Sequence, residues 1–298
     1  MRLTPLLALA ICPNLAQADR LDDTPRVALM SAFPPEWVAL QEGLTDATEH
    51  KLNGVTFVTG TMEDKPVVLF LSGVSMVNAA MTTQLALDHF DITAVVFSGI
   101  AGGVDPNLSI GDVVVPAQWG KYLEGVMARD TNGTFSIPPW MSTDYEGLGM
   151  ITTVPFGVTT DRSDELDRRF WFDTDPGLLA VAESIATGMT LSECNTDNEC
   201  LSDPPQIILG GNGVSGSFFV DNADLRDWAY DNFAAQVLDM ESAAVAHVAY
   251  ANEVPFIAFR SLSDIAGGGD GANEMNTFMS LAASNAASVM RAFVAAMD

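Results

Sequence analysis

Short apolar strands alternate with amphipathic helices along most of the chain, and this alternation restricts the possible folds more than any other feature. The apolar runs predict strands at Arg26–Ala32, Val55–Gly60, Val67–Leu71, Ala94–Ser98, Asp112–Pro116, Gln206–Gly210, Val237–Met240 and Pro255–Arg260. Helical spacing and cap residues predict helices at Glu36–Gly43, Ser75–Phe90, Asp164–Phe170, Gly177–Gly188, Asp221–Phe233, Ser242–Ala251 and Glu274–Met297. We therefore expect one α/β domain, with a mixed twisted sheet flanked by helices and an insertion at about 118–205.

The composition excludes several classes of protein. Of 298 residues, 48% are hydrophobic and 17% are charged, which is enough apolar material for a full core and excludes a disordered chain. The formal net charge is −26, and so acidic a surface repels the phosphates of nucleic acids. Beyond the N-terminus no continuous apolar run reaches the roughly 18 residues of a membrane helix. We expect neither a nucleic acid nor a membrane as a partner.

The first 18 residues have the pattern of an export signal. Arg2 precedes the apolar stretch Leu6–Cys12, and Ala16-Gln17-Ala18 offers small residues for cleavage before Asp19. The alternative is a short buried strand or helix, but the charged, turn-prone segment up to Pro25 follows at once. The sequence predicts a signal peptide at 1–18 and a mature domain at 19–298, which is periplasmic or secreted.

The mature chain keeps two cysteines, Cys194 and Cys200, in a polar, acidic segment that ends in two prolines. Such a segment is typical of an exposed loop. A metal site is one interpretation, but two thiols without a nearby histidine cannot complete a tetrahedral site. A disulfide bond in an oxidising compartment is the better interpretation, and it closes a short ring worth roughly 2 kcal/mol by loop entropy.

Polar or glycine-rich segments follow four predicted strands, where α/β proteins place ligands. The first, Ser31–Glu36, ends in a glutamate that opens a helix, and such a glutamate alone usually only complements the helix dipole. The second, Phe97–Gly103, is predicted to be a glycine turn that lets the backbone approach a ligand. It matches neither the dinucleotide fingerprint nor the P-loop. Each of these two segments is weak evidence by itself.

The other two segments carry acids. Asp239 and Glu241 end a strand before an Ala-rich helix, so one acid is a candidate for binding sugar hydroxyls; the alternative is helix capping with a solvated side chain. A second strand delivers Arg260, Ser263 and Asp264 into a glycine-rich loop. An acid held there can protonate a leaving group if burial raises its pKa, whereas the alternative is a turn-forming Ser-Asp pair.

Taken together and in order, these segments resemble a known family. The most specific stretches are Gly99-Ile-Ala-Gly-Gly, Ile110-Gly-Asp-Val-Val-Val-Pro, Asp239-Met-Glu-Ser-Ala-Ala and Arg260-Ser-Leu-Ser-Asp. They resemble the nucleoside phosphorylase/nucleosidase superfamily, most closely its 5′-methylthioadenosine/S-adenosylhomocysteine nucleosidase branch. The resemblance runs from Arg26 to the C-terminus and is weakest in the insertion. The stretch Gly210-Gly-Asn-Gly-Val-Ser-Gly and the insertion also resemble exported, storage-protein-like relatives.

The resemblance implies roles for individual residues. It implies that Glu36 activates water, that Glu241 accepts hydrogen bonds from the ribose, and that Asp264 protonates the purine at N7. It implies substrate contacts or positioning roles for Gly102, Phe219, Val220, Met240, Arg260 and Ser263. Cleavage of an N-glycosidic bond passes through an oxocarbenium-like cation, and three such acids suit it. No metal or organic cofactor is expected, and the expected partner is a purine nucleoside or purine base.

One departure from the family leaves alternatives open. Ile100 stands where nucleosidases carry a serine or threonine that contacts the water, so the rate of turnover is in question. The loops Ser31–Glu36 and Phe97–Gly103 contain no arginine for phosphate, which favours hydrolysis over phosphorolysis. The alternatives are a phosphate-dependent purine nucleoside phosphorylase and an exported purine-binding or storage protein with little turnover. The resemblance also implies a homo-oligomer.

Overall fold

The computed structural model describes residues 20–269 and 271–298, so the predicted signal peptide at 1–18 lies outside the described residues. The helices are α1 (Pro34–Leu40), α2 (Met76–His89), α3 (Pro176–Ala186), α4 (Ala223–Phe233), α5 (Ser242–Ala251) and α6 (Met275–Ala296). The strands are β1 (Asp22–Ser31), β2 (Thr45–Leu52), β3 (Val55–Met62), β4 (Lys65–Leu71), β5 (Phe90–Gly103), β6 (Val113–Val115), β7 (Gln118–Gly120), β8 (Gly125–Met127), β9 (Arg129–Thr131), β10 (Thr134–Ser136), β11 (Ile151–Thr153), β12 (Gly157–Thr160), β13 (Ser163–Arg168), β14 (Trp171–Asp173), β15 (Ile207–Leu209), β16 (Asn212–Ser215), β17 (Ala235–Asp239) and β18 (Phe256–Asp264).

A mixed sheet forms the centre of the molecule, as the strand–helix alternation predicts. Within the described residues it has 12 strands, with the main order β14-β7-β16-β17-β5-β1-β4-β3-β2. Strand β5 pairs in parallel with β1 and β18, while β17 runs antiparallel to its last residues. Because β1, β4 and β18 all run parallel in this region, their carboxyl ends meet at one edge beside the second half of β5.

The core lies on both faces of this sheet, since alternate residues of one strand point to opposite faces. On β1, Ala28 and Met30 are buried with apolar residues of α2 and α5, whereas Val27 and Leu29 are buried with residues of α1, α3 and α6. The fold is therefore an α/β arrangement of three layers, with helices covering both faces of the central sheet.

Two strands are longer than the sequence predicts. Strand β5 does not stop at Gly99 in a turn but continues to Gly103, so the predicted glycine turn is wrong. Strand β18 continues to Asp264, which pairs with Gly102 after a register shift rather than entering a loop. The physical reason is shared: each strand supplies the other with hydrogen-bond partners along the glycine segment. The glycines serve close packing, which is described below.

The segment predicted as an insertion contains the other corrections. Residues 164–170, predicted to be helical, instead lie largely in β13, which pairs antiparallel with β12. This hairpin packs on α5, where Asp167 accepts a hydrogen bond from the Tyr250 hydroxyl and pairs with Arg169 at 2.8 Å. Tertiary pairing therefore decides this structure over local composition. Strand β2 was not predicted. Strands β7 and β14 lie in the segment predicted as an insertion, yet they pair within the main sheet.

Helix α6 is long and apolar, although polar residues interrupt its apolar stretches. Its 22 residues have a mean hydropathy of 1.2 over the most apolar window, which is long and apolar enough to cross a membrane. However, 56% of that window is buried inside the protein, and Phe293 packs against Phe259 of β18 with ring centroids 5.1 Å apart. The packing against the sheet accounts for the apolar composition of this helix.

The predicted disulfide bond between Cys194 and Cys200 is present. Both cysteines are exposed, as the polar composition of the loop predicts. The loop is attached to α6, because the Asn195 side-chain amide donates to the Thr277 carbonyl at 2.9 Å. The disulfide therefore closes a surface loop that lies against the outer helix layer.

Candidate active site

A cavity of about 320 Å³ lies where the carboxyl ends of β1 and β18 meet the second half of β5. The structure brings all the predicted catalytic and substrate-binding residues to its lining: Glu36, Gly102, Phe219, Val220, Met240, Glu241, Arg260, Ser263 and Asp264. They come from five separate parts of the chain. Their grouping gives a site with three acids, one arginine and a largely apolar wall.

Glu36 lies in the first turn of α1 and is held by backbone donors. Its Oε2 accepts from the N–H groups of Ala32 at 2.7 Å and Phe33 at 3.4 Å, and its Oε1 accepts from Ile100 N–H at 2.8 Å. Burial raises the pKa of Glu36, while the Arg260 guanidinium and these N–H donors oppose the rise. Oε1 accepts from one N–H group only, so it still has a lone pair to accept a hydrogen bond from water.

Arg260 is almost fully buried beside this glutamate. Its Nε lies 2.8 Å from Asp239 Oδ2 and 3.0 Å from Ser242 Oγ, and its Nη2 lies 3.6 Å from Glu241 Oε2. Its guanidinium carbon lies 4.0 Å from the centroid of the Phe97 ring. A buried charge needs such partners, so this arginine is fixed in one position at the floor of the cavity.

The roles of the two acids after β17 are separated by this pairing. Besides Arg260, Asp239 accepts from the backbone N–H groups of Glu241 and Ser242, both at 3.2 Å, and from the Ser215 hydroxyl. The capping alternative therefore describes Asp239, which stabilises the start of α5. Glu241 is the acid that remains available to a ligand.

Glu241 lines the same cavity as Asp264 and directly precedes α5. Its Oε1 accepts from the Ser75 backbone N–H at 2.8 Å. Burial raises the pKa of Glu241 to about 7; Arg260 opposes this rise, whereas the charges of Asp239 and Glu36 add to it. Near neutral pH the side chain is therefore poised between its neutral and ionised forms. Both forms can accept a hydrogen bond from a sugar hydroxyl.

Gly99 explains why this part of β5 is rich in glycine. A Cβ atom at this position would lie 2.3 Å from Arg260 Nη1 and 2.7 Å from Glu36 Oε1. Contacts below 3.0 Å are not compatible with normal packing, and neither partner can move without losing its hydrogen bonds. A glycine is therefore required here by space, so that the arginine and the glutamate can approach the strand.

Asp264 is buried and surrounded by donors. Its Oδ1 accepts from Ala266 N–H at 2.8 Å and from the Asn273 side chain at 3.4 Å, and its Oδ2 accepts from Ser263 Oγ at 2.9 Å. Burial raises its pKa, although these hydrogen bonds oppose the rise. Because the two donors at Oδ1 are N–H groups that cannot accept, a proton on Asp264 is placed on Oδ2. The Ser263 hydroxyl can then turn to the Ala101 carbonyl, which lies 3.4 Å away.

An apolar wall faces these acids. Val220 and Leu238 are buried in it, and Met240, which lies between Asp239 and Glu241 in the sequence, lines the same cavity. Phe218 and Phe219 both line the mouth, with 65% and 56% of their surface exposed. A wall of this composition in the same cavity as Asp264 suits an aromatic base, which stacks on apolar and aromatic side chains. Of the two rings, the resemblance named Phe219 alone.

Comparison with known proteins agrees with this geometry. The family described as "Phosphorylase superfamily" matches residues 26–295. The chain belongs to the phosphorylase superfamily. The family resemblance in the sequence and the expected α/β fold are thus confirmed.

Named relatives divide into enzymes and storage proteins. The 5′-methylthioadenosine/S-adenosylhomocysteine nucleosidase of Bacillus thuringiensis is 31% identical over 245 residues, which is 81% of this chain and 87% of the relative. Bark storage protein B of Populus deltoides is 29% identical over 225 residues, 72% of this chain and 70% of the relative. The structure of the Streptococcus pneumoniae nucleosidase with a transition-state inhibitor has a TM-score of 0.68 at 23% identity, covering 92% of this chain and 100% of that one, and so shares the fold.

Ile100, the residue that departs from the nucleosidase pattern, lies in this superfamily site. Its side chain is buried with Ala282 and Ala283 of α6, and Phe33 and Met275 pack against the same cluster. Its own N–H binds Glu36, so an apolar side chain lies directly beside the carboxylate that is predicted to activate water. The consequence is a drier wall next to the expected nucleophile.

Sequence reasoning missed several members of this superfamily site. Ser75 supplies the backbone N–H for Glu241 from a positive φ of 83°, a conformation that few side chains adopt. Phe33 and Met275 line the cavity, and Asn273 contacts the acid. Two of them had a local signal: Ser75 follows the predicted strand Val67–Leu71 at the same edge of the sheet, and Phe33 lies in the segment Ser31–Glu36. Within residues 20–269 and 271–298, no group of three or more His, Cys, Asp or Glu is placed to hold a metal ion.

Proposed function

We propose that the protein is a purine nucleosidase, which hydrolyses the N-glycosidic bond between a purine base and its ribose. One observation carries this proposal: Glu36, Glu241 and Asp264 are buried around a single cavity with a wall suited to a flat base. The three acids come from different elements, and the reaction needs three such groups: one to protonate the leaving purine, one to bind the sugar and one to activate water. The nucleosidases among the relatives support the same activity.

The leaving base is activated by Asp264. Burial raises the pKa of Asp264, which favours its protonated form, and the donors at Oδ1 place that proton on Oδ2. Transfer of the proton to N7 of the purine makes the base a neutral leaving group, so the bond between C1′ and N9 breaks with both electrons moving to the base. Ser263 follows this change by rotating its hydroxyl between Asp264 and the Ala101 carbonyl.

Glu241 binds the ribose while the positive charge develops. A carboxylate beside the sugar hydroxyls stabilises the oxocarbenium-like transition state more than the neutral substrate. The nearby Arg260 prevents the three buried acids from repelling one another too strongly, because it lies next to both glutamates. The arginine thus favours the ionised form of Glu241, the residue that binds the sugar.

The nucleophile is a water molecule activated by Glu36. As water oxygen bonds to C1′, one of its protons moves to the glutamate, whose oxygens are held by three backbone N–H groups. Burial raises the pKa of this carboxyl, which makes its ionised form a better base than an exposed glutamate. The products are ribose and the free base, which keeps the proton from Asp264. Glu36 then releases its new proton to solvent and Asp264 takes one up, so both acids return to their starting forms.

Hydrolysis is favoured over phosphorolysis by the charges around the cavity. Among the described residues that line it, Arg260 is the one cationic side chain, and it is paired with Asp239. A phosphate dianion bound there would face Glu36 and Glu241. The test is to incubate the mature protein with adenosine, inosine and methylthioadenosine, with and without phosphate, and to assay free base. Release that requires phosphate would identify a phosphorylase instead.

A second candidate function has a specific observation in its favour. Ile100 removes a side-chain hydrogen bond from the predicted water site, and bark storage protein B is among the relatives. A protein with this pocket and little turnover would bind adenine or a nucleoside without releasing base. In the same incubation, bound nucleoside recovered intact after many hours would support this second function.

We further propose export to the periplasm or the outside of the cell, and assembly into a homo-oligomer. The signal pattern at 1–18 and the disulfide bond support export. An apolar-rimmed groove between α1 and α2, lined by Trp37, Val74 and Met81, supports assembly. Intact-mass measurement of secreted material should give a chain that begins near Asp19 and lacks two hydrogens. Light scattering after size exclusion measures the oligomer, and a monomer at micromolar concentration would contradict it.

A further inference from the structure

The side chain of Asn273 bridges two acids at the rim of the cavity. Its Nδ2 lies 3.1 Å from Asp221 Oδ1 and 3.4 Å from Asp264 Oδ1, and its Oδ1 accepts from Met275 N–H at 3.0 Å. Asn273 lies just before α6, outside the four segments that the sequence singled out. Its three contacts join the acid, the segment that carries the apolar wall and the first turn of the helix.

The orientation of this amide follows from its partners. The Met275 N–H can only donate, so the oxygen of the Asn273 amide must face it. The two N–H bonds of the amide then point towards the carboxylates of Asp221 and Asp264, one to each. The Asn273 side chain is therefore a neutral group that lies between two acids, donates to both and keeps them apart.

The segment on the other side of this bridge is the one that carries the base wall. Asp221 follows Val220 directly, and the next residue, Asn222, donates its N–H to the Ala266 carbonyl at 3.1 Å. Gly267 packs so closely on this backbone that a Cβ atom would lie 2.3 Å from Asn222 N. The wall and the loop after Asp264 thus form one packed unit, with the Asn273 side chain across its open edge.

We propose that Asn273 is a positioning residue for the cleavage reaction, which holds Asp264 Oδ1 as an acceptor and so directs the acid's proton to Oδ2 and the bound base. The inference rests on the proposed nucleosidase function. Without the amide, Oδ1 keeps only the Ala266 N–H, and the carboxyl group can rotate so that either oxygen carries the proton. A proton on Oδ1 faces the loop rather than the base.

The same hydrogen bond affects the acid–base equilibrium of Asp264. A donor to the ionised form lowers the pKa of Asp264, so its removal lets the pKa rise further above the ordinary value. The charged groups around Asp264 are Glu274 at the start of α6, Asp221 in the wall segment, Arg226 of α4, Arg260 and Asp239 on the sheet, and Glu36 and Glu241 across the cavity. A general acid must be protonated, so a higher pKa moves the loss of activity to more alkaline pH.

The test measures kcat and kcat/KM for methylthioadenosine against pH in Asn273→Ala and Asn273→Asp. We expect kcat to fall roughly tenfold, the effect of one hydrogen bond to a charged group, with little change in KM. The alkaline limb should move to higher pH in both variants. It should move further in Asn273→Asp, which is isosteric and still accepts from Met275 but adds a carboxylate. The control is Asn107→Ala, because Asn107 is exposed and its side chain bonds only to Asp105.

A second arm tests whether Asn273 acts through the acid. In an Asp264→Asn background, Asn273→Ala should reduce the remaining base release by less than about twofold, because the proton it directs is absent. An unmoved alkaline limb, or an equal loss in both backgrounds, would overturn the proposal while leaving the nucleosidase function intact.

A third arm does not depend on turnover. Adenine accepts the Asp264 proton at N7, so its affinity should fall at alkaline pH, and this fall should move to higher pH in Asn273→Ala. If the wild type releases no base, the proposed function fails. The adenine titration then still decides on Asn273, because an unchanged pH dependence of affinity refutes its role.

Discussion

Replacement of Asp264 by asparagine separates proton transfer from binding. The asparagine oxygen takes the place of Oδ1 and keeps the donors from Ala266 and Asn273. Its NH2 group takes the place of Oδ2, where the Ser263 hydroxyl can turn to the Ala101 carbonyl. The variant therefore retains every hydrogen bond at Oδ1 and still donates to N7 of a base. It lacks only a proton that can be transferred.

The magnitude follows from this comparison. Loss of one general acid reduces the rate roughly 10²–10⁴-fold, which corresponds to about 3–5 kcal/mol in the activation barrier. Affinity for adenine should change by less than about fivefold, because a neutral hydrogen bond replaces another of similar geometry. We expect kcat to fall by orders of magnitude while ground-state binding is nearly retained.

The assay is base release in single turnovers, with adenine affinity measured in parallel by calorimetry. Asp112→Asn is the matched control, because Asp112 is also a buried aspartate with a pKa raised by burial, and it binds Ser109 and Gln206 N–H outside the cavity. Both variants test stability, but only Asp264→Asn should lose turnover. If affinity and turnover fell in equal proportion, Asp264 would be a binding residue and the general-acid assignment would be wrong.

Three further outcomes are expected. Phe219→Ala should weaken adenine affinity about tenfold, the usual contribution of one stacked ring, whereas Phe218→Ala should not. If calorimetry gives both variants the affinity of the wild type, neither ring stacks on the base. Ile100→Thr should lower stability by about 1–2 kcal/mol in thermal unfolding, because it loses buried carbon, yet raise kcat up to about tenfold by a new hydrogen bond near the water; an unchanged kcat would show that the side chain does not limit turnover. Glu241→Gln should become more stable than the wild type as pH rises, because the pKa of Glu241 in the folded protein, about 7, lies above the ordinary 4.5. The stability that the wild type gains from this raised pKa is complete below pH 4.5 and is lost as pH rises through 7, on the order of 3 kcal/mol. A difference in stability between variant and wild type that stays constant with pH would refute this.

The sequence by itself determined the elements that have a local signal. Helix α5 has the predicted bounds, and α4 forms within the predicted range, with Asn222 capping it by accepting from Leu225 N–H at 2.9 Å. Apolar periodicity records burial directly, because each residue's neighbours along a helix or strand are set by its spacing. The sequence also gives the chemical types of the acids and their order along the chain, so it predicts the members of the site but not their positions in space.

The tertiary structure alone decided which strands pair and which atoms meet. Strand β5 passes through Gly99 because β18 and β17 offer it partners, and β13 replaces a predicted helix for the same reason. The pairing of Arg260 with Asp239 and the bridge from Asn273 to Asp264 join residues that are far apart or separated by a loop. Such contacts depend on distances through space, and one residue's local pattern carries no information about a partner that only the folded chain brings within hydrogen-bond distance.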